Sequence, residues 1–167
     1  MAVSAAQVKE LRELTHAGVM ECKNALEEAG GDFPKATKIL KERGLARAEK
    51  RSQRETSQGL VECYMHAGGR IGSMVEVNCE TDFVARTDEF KNLAHDLAMQ
   101  VAATGPLAIT QEDLPDDAEG EPAEACLMLQ PFIKDASRTV DELVKEVIAT
   151  TGENIRVTRF SRFELGQ

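Results

Sequence analysis

Four cysteines, three histidines and a few close pairs of acids are the side chains here that could do covalent or metal chemistry. Cys22, Cys63, Cys79 and Cys126 are widely spread, with no C-x-x-C pair and no histidine at zinc-ligand spacing, so a zinc site is not expected. Cys63 and Cys79 fall in runs of strand character, where a reduced thiol is expected to be a small buried hydrophobe. A nucleophile made of either one with His66 would have to meet in space, because such partners are not sequence neighbours. His16, His66 and His95 accompany no G-x-S-x-G or H-E-x-x-H signature and are read as structural. Glu80 and Asp82 could share acid–base work, yet no other catalytic group stands near them in sequence. The cluster Gly68-Gly69-Arg70-Ile71-Gly72 lacks the lysine and hydroxyl of a phosphate-cradling loop. It is read as a hairpin turn, and the chain is expected to bind no nucleotide directly and to need no cofactor.

A different kind of chemistry is suggested by Glu76 to Arg86. A strand pattern ends at the polar break Cys79-Glu80-Thr81-Asp82, and Phe83-Val84 follows, just before a helical pattern. An aromatic at a strand-to-helix corner either packs back on its own core or projects as an exposed wedge. Aromatics at such tips anchor partners well, because they bury large area for few rotatable bonds. Asp82 is placed to cap the following helix and so aim the ring.

The elements that position this corner can be outlined from periodicity. Val8, Leu11 and Leu14 define a first helix ending near Thr15. Met20, Ala25, Leu26 and Ala29 define a second, ended by Gly30-Gly31. Asp32 caps a third, with Ala36, Ile39 and Leu40 inward and a stop at Gly44. Leu60 to His66 and Ile71 to Asn78 form a hairpin, and Ile155 to Leu165 a third strand. Asp88 to Ala103 and Ser137 to Thr150 carry apolar helical stripes that cover one sheet face. Glu112 to Glu124 holds seven acids, two prolines and no base, which suits a solvated loop. The expected class is α+β: a three-helix module over 1–45, a basic linker helix over 46–56, and a small antiparallel three-stranded sheet covered by helices over 57–167.

The net charge of −9 disfavours a nucleic-acid binder. Residues 1–54 carry 11 Lys and Arg against 8 Asp and Glu, whereas the remainder carries 9 against 21, and this asymmetry suggests two units. Arg43, Arg47, Lys50, Arg51 and Arg54 cluster at the junction, where a solvated linker helix is preferred to an RNA contact because no aromatic side chain interleaves them. No apolar run approaches a membrane span, and Met1 to Gln7 has no signal-peptide pattern, so the cytoplasm is the expected compartment.

Glu76-Val77-Asn78-Cys79-Glu80-Thr81-Asp82-Phe83-Val84-Ala85-Arg86 resembles the core motif of elongation factor Ts, the guanine-nucleotide exchange factor of elongation factor Tu. Leu11 to Leu26 resembles the family's amino-terminal motif, and Gly152-Glu153-Asn154-Ile155-Arg156-Val157 agrees as well. The resemblance implies an amino-terminal module like ubiquitin-associated domains. It also implies a non-enzymatic role in which the factor binds elongation factor Tu·GDP and promotes GDP release and exchange for GTP. Thr81, Asp82, Phe83 and Val84 would disturb the partner's magnesium and phosphate site, and Arg12, Val19 and Met20 would grip a neighbouring helix. A homodimer within the complex is compatible with it. The connection from Thr104 to Gln130 is shorter than in typical members. The rival expectations are a plain protein-binding module of ubiquitin-associated type and, behind it, a thiol enzyme.

Overall fold

The computed structural model describes residues 3–15, 17–116 and 120–166; His16 and the 117–119 part of the acidic segment lie outside the described residues. Helices α1 (Ala5–Thr15), α2 (Val19–Glu28) and α3 (Phe33–Arg51) enclose a small core of Val8, Leu11, Cys22, Ala25, Leu26, Ala36 and Leu40. Asp32 caps α3 as its type and position predict, accepting from Lys35 N at 2.9 Å. Leu14 and Met20 share the helical spacing of this core but are exposed.

The expected stop at Gly44 is not observed. Helix α3 runs through it to Arg51 and crosses α7 (Val140–Thr151), where a Cβ on Gly44 would lie 3.0 Å from Ala149 Cβ. The missing side chain lets the two helices approach, and their packing outweighs the roughly 1 kcal/mol that glycine costs a helix interior. The basic stretch is therefore mainly the last turns of α3, and the same helix places Leu40 in the small core and Ala48 in the larger one. Its cations meet the chain's own acceptors. Arg43 pairs with Glu28 at 2.5 Å, Arg47 with Glu21, and Arg54 with Glu80 at 3.4 Å, while Arg51 Nη1 donates to Ile148 O at 3.4 Å.

Strands β1 (Gln58–Met65), β2 (Ile71–Cys79) and β5 (Ile155–Glu164) form an antiparallel sheet in the order β1-β2-β5. Leu60 pairs with Val77, and Val77 with Val157, so one face is apolar and buried; Thr158 is the extra residue of a bulge opposite Glu76 and Val77. Helix α5 (Asp88–Thr104) lies on that face with Phe90, Leu93, Leu97 and Val101 inward, and Ser73 Oγ donates to Ala98 O at 2.5 Å. Helix α7 packs on α5, β5 and α3. The opposite face carries Val61, Met65, Met74 and Phe163 exposed, with no helix over it among the described residues.

Two expectations need correcting. The last helix begins at Val140, not Ser137. Thr139 and Glu142 close a reciprocal cap (Glu142 N to Thr139 Oγ1 3.2 Å, Thr139 N to Glu142 Oε2 3.1 Å) that fixes the start there. Ser137 to Thr139 belong to β4 (Asp135–Thr139), which pairs with β3 (Pro131–Phe132) in a small hairpin that periodicity misses at this length. The acidic segment is not wholly loop: Gln111–Asp113 forms a 3-10 turn, and Pro122–Ala125 forms the short helix α6, whose Ala125 is buried.

Gly44→Val should lower stability by about 1–3 kcal/mol, because its branched side chain has to enter a contact already closed at Ala149. Gly44→Ala should be milder, since helix propensity offsets part of the crowding. Thermal melts check the order; a parental melting temperature for the valine variant would mean that the crossing does not constrain α3.

Candidate functional site

Strand β2 ends at Cys79, and the chain turns through Glu80 and Thr81 into α4 (Asp82–Ala85), a single helical turn. The cap of α4 is Thr81, whose Oγ1 accepts from Val84 N at 3.5 Å, and that of α5 is Thr87, accepting from Phe90 N at 3.3 Å. Asp82 caps neither helix. It sits in the first turn of α4, where its charge suits the helix dipole, and pairs with Arg86 at 2.7 Å. Val84 is buried in the larger core and anchors α4 from below. Phe83, one residue earlier, is 78% exposed. Of the two placements open to it, the ring takes the outward one.

The corner is held from behind by the turn between α7 and β5. Gly152 closes α7 with φ 79°, a conformation that side chains resist, and delivers Glu153 and Asn154 against the β2–α4 turn. Glu153 accepts twice from Thr81: N–H to Oε2 at 2.9 Å and O–H to Oε1 at 2.6 Å. In return Asn154 N donates to Glu80 Oε1 at 2.7 Å, and the buried Asn154 Nδ2 donates to Ser52 O at 3.2 Å and Arg54 O at 2.8 Å. Cys79 Sγ donates to Thr81 O at 3.1 Å, and burial, followed by the charge of Glu153, pushes its thiol up to about 11. Glu80 is thus engaged with Asn154 and Arg54, and Asp82 with Arg86.

A second surface lies on the three-helix module. Val19 (52% exposed) and Met20 (62%) begin α2, and Leu14, in the last turn of α1, is exposed as well. Arg12 and Val19 line a groove together with Val3, Val8, Lys9 and Lys23. Leu14 was missed by periodicity because its spacing fits the core; only its exposure reveals it. Lys9 and Lys23 pair along their own helices with Glu13 at 3.7 Å and Glu27 at 3.8 Å.

The family model described as Elongation factor TS matches residues 2–122. The chain belongs to the elongation factor Ts family. Curated members called Elongation factor Ts include those of Carboxydothermus hydrogenoformans, 48% identical over 195 residues (99% of this chain, 90% of that protein), and Coprothermobacter proteolyticus, 47% over 197 residues (100% of each). That of Thermotoga maritima is 45% identical over 195 residues, with 100% of this chain and 98% of that protein covered. The Coprothermobacter alignment spans 197 positions against the 167 residues here, which leaves 30 positions this chain does not fill. Membership makes the chain a translation elongation factor of protein biosynthesis. Among the described residues, no helix is long and apolar enough to cross a membrane, and no group of three or more His, Cys, Asp or Glu could hold a metal.

His66 and His95 flank Tyr64, and His95 Nδ1 lies 3.1 Å from Glu62 Oε1. Cys63 is exposed and not buried as expected, because it alternates onto the open sheet face opposite Met74, while Cys22, Cys79 and Cys126 are buried, and burial also raises the Cys126 thiol. Iodoacetamide at neutral pH should therefore give the native chain a single adduct, at Cys63, by mass spectrometry. Equally rapid labelling of Cys79 would contradict the burial of the corner.

Proposed function

We propose that this chain binds elongation factor Tu carrying GDP and promotes GDP release and exchange for GTP, without bond-breaking chemistry. The Thr81–Val84 corner enters beside the partner's magnesium and phosphate site: Phe83 supplies the wedge, Asp82 a charge beside it, and Thr81 and Val84 the support. Arg12, Val19 and Met20, joined by Leu14, grip a neighbouring helix of the partner through residues 1–45. Residues 46–56 join this module to the core at 57–167. The cytoplasm is the compartment in which such a partner works, and the 30 unfilled positions are assigned to the connection from Thr104 to Gln130.

The observation that carries this reading is the exposed ring of Phe83 on a corner clamped from two directions. An apolar ring left in water while its neighbour Val84 is buried gains on the order of 1.5–3 kcal/mol when a partner covers it. Exchange then works by negative coupling. Factor and nucleotide each bind the partner tightly, but binding together strains it, and whatever ratio the factor takes from GDP affinity, GDP takes from the factor's. A recruiting module alone would make use of the Arg12 groove and leave the ring without a role.

Phe83→Ala should keep the parental melting temperature, because the ring buries little in its own chain. It should cut the rate of fluorescent GDP release at saturating factor by about 30- to 1000-fold, the equivalent of 2–4 kcal/mol for a lost aromatic anchor. Arg12→Ala and Met20→Ala should instead raise the factor concentration needed for half-maximal release and leave the saturated rate nearly unchanged. Parental release by the Phe83 variant would refute the wedge.

A homodimer within the complex is supported by the uncovered sheet face, where Met65, Met74 and Phe163 are exposed on adjacent strands. Phe163→Asp should shift sedimentation from dimer to monomer. A parent chain that stays monomeric at about 100 µM, a concentration at which a contact worth roughly 6–8 kcal/mol would form, removes the dimer.

A further inference from the structure

Resting on the exchange reading of Phe83, we infer that Glu153 is a positioning residue for nucleotide release: it sets the direction of the wedge by holding Thr81. Helix α4 is four residues long, too short to persist on its own hydrogen bonds. Phe83 is mostly in water, so its own packing does not aim it; the backbone from Thr81 to Val84 does. Val84 anchors that backbone from below, and Cys79 Sγ holds the Thr81 carbonyl. Among the described residues, Glu153 is the distant side chain that hydrogen-bonds to it, taking both donors of Thr81 at 2.6 and 2.9 Å. These are charge-assisted bonds to a carboxylate, short and directional. With its proton committed to Glu153 Oε1, the Thr81 hydroxyl keeps a lone pair for Val84 N, so the carboxylate also sets the polarity of the α4 cap.

The tie between the two turns does not depend on Glu153 alone. Asn154 bonds Glu80, Ser52 and Arg54 on the other side of the same turn and is itself buried, whereas Glu153 is half-buried and faces Thr81 with both oxygens. Removing one Glu153 oxygen should leave the turn docked through Asn154 and loosen the corner locally. Glu153→Gln does this, because an amide matches only one of the two Thr81 donors.

The test is a double-mutant cycle read as GDP release from elongation factor Tu at saturating factor, with parent, Glu153→Gln, Phe83→Ala and the double variant. Melting temperature and half-saturating concentration are measured alongside. Glu153→Gln is expected to slow saturated release about tenfold, with half-saturation moved by less than about twofold, and to have no further effect once Phe83 is alanine. Thr81→Val, which removes the hydroxyl from the other side, should act in the same direction and be equally silent in the Phe83→Ala background. A parental rate for Glu153→Gln, or the same fold-loss with and without the ring, overturns the positioning role while leaving the wedge standing. A parental rate for Phe83→Ala overturns the wedge and the positioning role together. If Glu153→Gln unfolds the chain, the Thr81→Val cycle decides by the same criteria.

Discussion

Two turns far apart in sequence exchange hydrogen bonds, and the placement of both outward surfaces follows from that exchange. Glu153 and Asn154 reach the β2–α4 turn, and Glu80 reaches back. One side of the contact fixes Thr81 and with it the single turn that carries Phe83. The other side, through Asn154 Nδ2, fixes the carbonyls of Ser52 and Arg54, where the chain leaves the helix that bears the amino-terminal module. The contact is polar and partly buried, so each unmet donor would cost more than each made bond contributes. That asymmetry favours one arrangement over many.

Helix α3 does for the whole chain what this contact does for the corner. At 19 residues it is on the order of 28 Å long, and it contributes to both hydrophobic cores. The three-helix module and the sheet are thus joined by a continuous helix and not by a flexible tether. Apolar packing sets this geometry more than charge does. The pairs Arg43–Glu28 and Arg47–Glu21 are largely exposed, and such pairs contribute at most about 1 kcal/mol each.

The sheet has one covered face and one open one. On the covered side, Val75, Val77 and Val157 meet α5 and α7; on the open side, apolar Met65, Met74 and Phe163 stand beside the Glu76–Arg159 ion pair at 2.6 Å. Strand alternation accounts for both faces at once, since a residue and its cross-strand partner share a side. Alternation does not say which face a helix will cover.

Much of the fold was legible because its signals act over a few residues. Asp32 caps α3 from three positions away, the stripe from Phe90 to Val101 selects one side of α5, and alternation marks β1, β2 and β5. The class, the antiparallel sheet and the corner after Cys79 follow from such local rules. Gly44 shows where they stop: locally it is a helix breaker, and only the crossing at Ala149 makes it a helix interior. Leu14 and Met20 have the spacing of core residues, yet they lie outside because other side chains already fill the small core. Phe83 is the clearest case. The local sequence allowed it to point either way; in the folded chain it is exposed, Val84 takes the inward position, and a carboxylate 72 residues distant holds Thr81. Short-range preferences bias each residue by about 1 kcal/mol or less, whereas burial and paired charge are contributed by residues that only the folded chain brings together.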